Sequence, residues 1–407
     1  MSVGVILGTP EFWSEITVCG YSWPENSTQN LRLLRTSLDR GESYPLSLSI
    51  DLTDFSESTA TSVLDLIMEH SERWQSASFN VGRGMVGMQI MLRIKGRLGM
   101  LERIDMQFSD FSGDIAGINL SLPWKQLCSF IYQCKQNEDI AGSLSLMHNL
   151  YPHAAFELRG FDPRGHDRSL ALPLITARIS SFLIAPSTKR DPEEARQVLG
   201  NLLGSLTLPH LFKFSVDRAR DWFRGAIFWP SHQFESLATR SAFSETLHTL
   251  ELPYVTITAH ELFCLLACLA PLEHLVIADR EETSARWEHI LITDALLQGL
   301  TTTPNSPDSC LVPKLNYFVC TSSFGFIADI YFDFVTSRIR TARKPFHNVL
   351  RYFSGTSCAL EPNLLNRLLE LVDKGELNFN LEEESYEYPN QVNKITFLFP
   401  PALTVAH

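Results

Sequence analysis

Apolar residues recur along this chain in a short signature. A bulky residue is followed three positions later by a second and two positions after that by a third. The second and third share one face of a strand, as a half-buried strand requires. Trp74/Ala77/Phe79, Leu101/Ile104/Met106, His153/Phe156/Leu158 and Ile179/Phe182/Ile184 follow it, loosely at Ala77 and His153. So do Leu211/Phe214/Val216, Leu247/Leu250/Leu252, Leu272/Leu275/Ile277 and Leu315/Phe318/Cys320. Shorter units are expected near Ile115 and Leu127.

The segments between these strands read as helices. Leu262, Leu265, Leu266 and Leu269 lie on one helical face, preceded by Thr258 and Glu261 in a capping-box spacing and stopped by Pro271. Val63, Leu64, Ile67 and Met68 form a second stripe, ending near His70 before a strand at Ser76. Leu101 follows Trp74 by 27 residues, Ile179 follows His153 by 26 and Leu272 follows Leu247 by 25. These spacings fall in the range of about 20–29 residues used by leucine-rich repeats. Gaps of 36 residues before Leu247 and 43 before Leu315 imply insertions. The predicted fold is an α/β leucine-rich-repeat solenoid, a horseshoe of irregular strand–helix repeats, each burying its apolar rungs against its neighbours. The alternative is an ordinary α/β domain with regularly spaced strands.

Composition agrees with repeats. Of 407 residues 57 are Leu, 44% are hydrophobic and 20% charged, which excludes disorder as the dominant state. The net charge of −12 disfavours binding that relies on neutralising phosphates. Length alone would permit two or three domains, but the repeats favour one extended body. Eight Cys lie scattered beside apolar residues and read as buried reduced thiols of a cytoplasmic or nuclear protein. No signal peptide or membrane span is expected. Surface readings fall on 187–195 (STKRDPEEA) and 301–309 (TTTPNSPDS) as insertions, the acidic run at 382–387 as a solvated edge, and 338–344 (RIRTARK) as a solvated helix face or localisation patch.

Local catalytic signatures are sparse. Gly82-Arg83-Gly84-Met85-Val86-Gly87 is a GxGxxG, with Asp105 placed 23 residues on like the ribose-binding acid of a dinucleotide fold. The preceding strand, SASFNV, alternates polar and apolar residues, whereas a central parallel strand should be almost continuously apolar. A flexible loop between repeats is the leading reading, and a nucleotide-dependent oxidoreductase is the alternative. No HExxH, GxSxG or GxxxxGK[ST] occurs, and no catalytic, cofactor or metal residue is assigned. The residues alternating with the buried rungs would instead face the concave side, where solenoids bind partners. They include Arg103, Asp105, Gln107, Glu157, Arg159, Lys213, Asp217, Thr249, Glu251, His274 and Tyr317.

Four motifs carry a resemblance. Thr9-Pro10-Glu11-Phe12-Trp13-Ser14-Glu15-Ile16 resembles the TPxLWxxI segment that follows the F-box in a large family of leucine-rich-repeat proteins from mushroom-forming fungi. The segment 45–52 (PLSLSIDL) resembles that family's first PLSLSLxL strand, His70-Ser71-Glu72-Arg73-Trp74 its HSxRW, and Leu122-Pro123-Trp124-Lys125-Gln126-Leu127 its LPWxxL. In that family the F-box binds the Skp-type linker of a cullin–RING ubiquitin ligase, and the repeats select the protein to be ubiquitinated. The resemblance therefore implies a substrate-recognition part of a ligase adaptor, whose target proteins dock on the concave face. Because the likeness starts after the F-box, the linker-binding module is expected to be missing, and a Skp-type linker is a partner only if an F-box lies upstream. A degenerate scaffold without a ligase link is the remaining alternative. The implied organisation is 1–44 as a remnant of the post-F-box segment and first repeat helix, 45–381 as the solenoid and 382–407 as a cap or tail.

Overall fold

The computed structural model describes residues 9–20, 23, 27–81, 93–108, 122–134, 140–160, 172–186, 192–217, 227–253, 255–278, 291–302, 310–321, 326–341, 345–353, 360–384 and 392–393. The chain forms two compact units. The first comprises Met1–Leu211 with Arg218–Phe223, the second Phe212–Asp217 with Arg224–His407.

In the first unit β1 (Glu15–Cys19), α1 (Ser27–Arg40), β2 (Leu46–Asp51), α2 (Glu57–Glu69), β3 (Trp74–Val81), β4 (Arg103–Phe108) and β5 (Ser129–Cys134) follow in order. Next come α3 (Ile140–Ser145), β6 (Ala155–Arg159), β7 (Ile175–Thr176), β8 (Ser181–Ala185), α4 (Pro192–Ser205) and β9 (Leu206–Thr207). Strands β1, β2, β3, β4, β5, β6 and β8 lie side by side in chain order, every pair parallel. Parallel neighbours need a return connection, which the helices supply where they are present.

The register explains the apolar signature. Ala77, Ile104, Phe130, Phe156 and Phe182 stand opposite one another, as do Phe79, Met106, Tyr132, Leu158 and Ile184. All ten are buried. Because the strands are in register, like rings meet like rings: Phe130 and Phe156 have centroids 5.7 Å apart, Phe156 and Phe182 5.8 Å. One expected rung fails. His153 is exposed at φ 78°, and Ala154 takes the buried place. The backbone turns there, His153 N–H bonding to the Arg178 carbonyl, so the three-residue offset into the strand is lost.

The second unit repeats the scheme. It contains β10 (Lys213–Val216), β11 (Ile227–Phe228), α5 (Ser231–Ser241), α6 (Phe243–Thr246), β12 (Thr249–Leu252), β13 (Val255–Thr256), α7 (Ala259–Ala267) and β14 (His274–Ala278). It continues with α8 (Asp294–Leu300), β15 (Tyr317–Thr321), α9 (Ala328–Thr341), β16 (Phe346–Phe353), α10 (Pro362–Asp373), β17 (Leu377–Glu384) and β18 (Val392–Asn393). Here β10, β12, β14, β15, β16 and β17 are parallel neighbours, and β18 pairs antiparallel with β17. The Thr258–Glu261 capping box forms as expected, with both reciprocal hydrogen bonds, and its stripe of Leu262, Leu265, Leu266 and Leu269 is buried. Inward-facing rungs meet the helices: Phe214 packs on Phe234 of α5, and Phe318 on Phe334 of α9.

Several boundaries differ from the sequence expectations. The sheet begins inside 1–44, because β1 pairs with β2, and β17 runs past 381 to Glu384. Pro192 opens α4 and Ala195 is buried, so this part of 187–195 is helix and not insertion. Proline's fixed φ suits a first helical position, and the following acidic residues suit a helix N-terminus. Residues 187–191, 303–309 and 385–387 lie outside the described residues, while Thr302 is tied to Ser337 by two hydrogen bonds of 3.1 Å. Cys310 and Cys320 are buried thiols, but Cys128 and Cys268 are exposed.

In the basic segment 338–344, Arg340 and Thr341 are exposed at the end of α9 as expected and 342–344 lie outside the described residues, but Arg338 departs from the expectation. Arg338 is fully buried. Its guanidinium donates to the carbonyls of Leu300 and Val312 and to the Cys310 sulfur, 3.1 Å away. Burial holds its pKa below the usual arginine value. The Leu300 carbonyl ends α8, the Val312 carbonyl lies in a turn where it also accepts from Leu315 N–H, and the planar fork reaches both at once.

Two substitutions test this core. Phe156→Ala empties the middle of a ring stack and should lower the unfolding free energy by about 3–5 kcal/mol in urea titrations. Arg338→Met removes the donors from two buried carbonyls and should cost on the order of 3 kcal/mol, measured the same way, with no rescue by Lys.

Candidate functional site

The sheet face opposite the helices carries the alternate positions of every strand. In the first unit Ser49, Ser78, Asp105, Ile131, Glu157 and Leu183 form one row across it, in register. Asp51, Asn80, Gln107, Gln133 and Arg159 form the next row. Arg103 is exposed at the start of β4, in the row of Ser47, Ser76 and Ser129. The five sequence candidates of this unit therefore share one face, on strands β4 and β6.

These side chains are tied to one another. Arg159 Nε donates to Glu157 Oε2 at 2.9 Å, and Asn80 donates to Asp51 at 3.0 Å. Ser78 and Gln107 donate to Asp105 Oδ2 over 3.3 and 3.4 Å, both long, while Asp105 Oδ1 is covered and accepts no hydrogen bond. Burial raises the Asp105 carboxyl above its usual pKa; Gln107, the Arg159 charge and Ser78 counter this only in part. Asp51 was not singled out from sequence, although its place in the alternation of β2 marked it for this face.

In the second unit Lys213, Thr249, His274, Tyr317, His347 and Asn378 form a row at the strand-entry side. Lys213 Nζ reaches Glu251 at 2.7 Å, and Asp217, half-buried, follows the end of β10. The rings of His274 and Tyr317 stack with centroids 5.1 Å apart, and Tyr317 stacks on His347 at 4.5 Å and 5°. Beside them Phe212, half exposed, stacks on His248 at 4.7 Å, and His248 Nε2 lies 4.0 Å from Glu273. Thr249, expected to face a partner, is buried. The apolar signature missed His347, because its strand breaks the pattern: Asn348 occupies the rung opposite Phe318, buried, and donates to the Tyr331 hydroxyl. Burial drives the Tyr331 hydroxyl well above the ordinary tyrosine pKa, so it remains protonated.

The motif residues that carry the resemblance work chiefly inside the fold. Trp13 lies 4.9 Å from the Arg40 guanidinium. Arg73 donates to the carbonyls of Tyr44 (2.9 Å) and Leu38 (3.0 Å), bracing the turn before β2, and Trp74 is buried. Gln126 donates to the carbonyls of Leu98 (2.6 Å) and Leu101 (3.0 Å), and Trp124 meets Phe130 edge-on at 5.2 Å. Of the four segments, 45–52 reaches the open face through Ser47, Ser49 and Asp51, and the first does so at its end, where the exposed Glu15 of β1 stands in register with Ser47. The Gly82–Gly87 loop lies outside the described residues, and Asp105 sits on the open face of β4.

Among the described residues no group of three or more His, Cys, Asp or Glu side chains is placed to hold a metal ion, and no helix is long and apolar enough to cross a membrane. No protein-family model and no curated protein matches the chain.

Asp105 gives a test with a definite sign. A carboxyl whose pKa rises on folding favours the folded state at acidic pH, and this contribution disappears as pH climbs from the unfolded value of 3.8 through the folded one. Relative to the parent, Asp105→Asn should therefore gain melting temperature as pH rises from about 3 through the folded value, and no further above it. Thermal unfolding across that range checks it; a difference independent of pH would refute the buried charge.

Proposed function

We propose that this chain is a leucine-rich-repeat solenoid that performs no chemistry and binds a protein partner on the open face of its sheet. The observation that carries the reading is the division of each strand between two tasks. Alternate residues form the packed rungs, and the residues between them present carboxylates, guanidinium, amine and rings in register on the face away from the helices. A chain built to hold one small ligand would gather polar groups around a concavity; here they extend strand after strand, as a protein-binding surface does. Rows that mix fixed rings with charged groups suit a partner surface, where a few aromatic or Arg anchors supply most of the affinity.

The ligase connection rests on the four motifs and their order. On that basis the chain is the substrate-recognition part of an F-box-type ubiquitin-ligase adaptor, its partner the protein to be ubiquitinated. The packing of Trp74 and Trp124 and the backbone contacts of half-buried Arg73 and Gln126 support the likeness as one of repeat architecture, since such contacts depend on the spacing of neighbouring strands.

Photo-crosslinking tests both parts. A photoreactive residue at Gln107 or His274, on the open face, should capture a partner identifiable by mass spectrometry, while the same residue at Glu69 or Glu235, on helices, should not. Capture from helix and sheet positions alike would refute the face assignment. Where an F-box is encoded upstream in its gene, the product that carries both should co-purify with a Skp-type linker; a linker-free complex of that product would end the ligase reading and leave the binding one intact.

A further inference from the structure

The turn that joins α1 to β2 is held from outside by one residue. Arg73 donates through Nε to the Tyr44 carbonyl at 2.9 Å and through Nη1 to the Leu38 carbonyl at 3.0 Å. The turn closes tightly on it: a Cβ added to Gly41 would stand 2.6 Å from Arg73 Nη2 and 3.3 Å from the Trp13 carbonyl oxygen. The same turn carries Tyr44, whose hydroxyl donates to the Glu11 carboxylate, and it follows Arg40, which lies over the Trp13 ring. Arg73 thus fixes the entry into β2 and, through these contacts, the short helical turn Pro10–Trp13 that leads into β1.

A titratable acceptor faces the same guanidinium. His70, half-buried at the end of α2, places Nδ1 3.4 Å from Arg73 Nη1. A guanidinium only donates, so Nδ1 holds its lone pair toward Arg73 and the ring proton sits on Nε2. A proton added at Nδ1 would set N–H against N–H and bring two cations to hydrogen-bonding distance. The groups around His70 pull in both directions. Asp39 on α1, Glu69 on α2 and the carbonyls that close α2 favour a cation there, whereas burial and the guanidinium groups of Arg73 and Arg35 oppose it. Burial, and then Arg73, prevail and hold the His70 pKa below the ordinary 6.5.

We propose that His70 and Arg73 form an acid-sensitive latch: the neutral imidazole accepts from Arg73 and keeps the 38–44 turn closed, and protonation at Nδ1 displaces the guanidinium and frees that turn together with Pro10–Trp13. The sign follows from linkage. A histidine whose pKa falls on folding favours the closed state fully above 6.5, and this advantage is lost as pH drops from there through the lower folded value. Acid therefore loosens the end of the first unit where β1 and β2 begin, while the rungs of the later strands, which contain no titrating group, stay in place.

Amide hydrogen exchange of the full chain, read by mass spectrometry and corrected for the chemical exchange rate at each pH, tests the latch. Between about pH 7.5 and 4.5 the amides of 38–47 and 10–19 should lose protection by about tenfold or more, while those of 258–269 on α7 should not. His70→Asn offers an amide oxygen near the place of Nδ1 and takes up no proton, so it should abolish the step. His70→Lys sets a permanent cation against Arg73 and should leave both segments open at either pH. Melting temperatures establish that the variants are folded, and His70→Gln serves if the Asn variant is not. The same step in parent and His70→Asn, no step in the parent, or an equal loss at 258–269 would overturn the proposal.

Discussion

A strand with one apolar face can be buried only if helices cover that face and similar strands flank it on both sides. Every other feature of this chain depends on that constraint. Phe130, Phe156 and Phe182 have no complete environment within their own strands; each is enclosed by the equivalent rings of its neighbours. In-register parallel pairing follows, because a slip of one residue would turn every rung out of the core. The same alternation that fills the core also brings unlike strands' polar residues into rows on the opposite face, so the candidate site is a by-product of the packing geometry.

Apolar rungs leave the connections between strands to be satisfied separately, since turns expose carbonyls that regular pairing does not use. The chain meets this need with long side chains. Arg73 spans to the carbonyls of Leu38 and Tyr44, Gln126 to those of Leu98 and Leu101, and Arg338 to those of Leu300 and Val312. In each case a donor-rich group reaches carbonyls from a preceding segment, holding the path of the chain between strands. This accounts for motif residues that read from sequence as signatures of a family and turn out to be structural. It also accounts for an arginine inside the core: two carbonyls and a thiol sulfur accept from its Nη1 and Nη2, while its Nε makes no hydrogen bond.

The open faces of the two units differ for reasons of local chemistry. The carboxyl groups of the first lie among Ser, Asn and Gln side chains, short polar groups that hold them in place and partly cover them, which is why Asp105 is raised in pKa. The second carries rings, and at the spacing of parallel strands rings stack into a continuous, stiff element. One surface is thus a hydrogen-bonded acidic layer and the other a row of ring edges beside a lysine.

Period and spacing alone determined much of the molecule. The alternation within LxxLxL placed eight strands, and the capping box and stripe placed α7, because such periodicity acts within a few residues and needs no tertiary information. What the tertiary structure decided are the contacts made across long separations. Arg338 looked like part of a solvated basic run and is buried because its partners come from segments ending at Leu300 and Val312. His347 was hidden because Asn348 breaks the apolar pattern, and that substitution is tolerated only where Tyr331 from α9 reaches it. Thr249 was read as facing a partner and is covered by its surroundings.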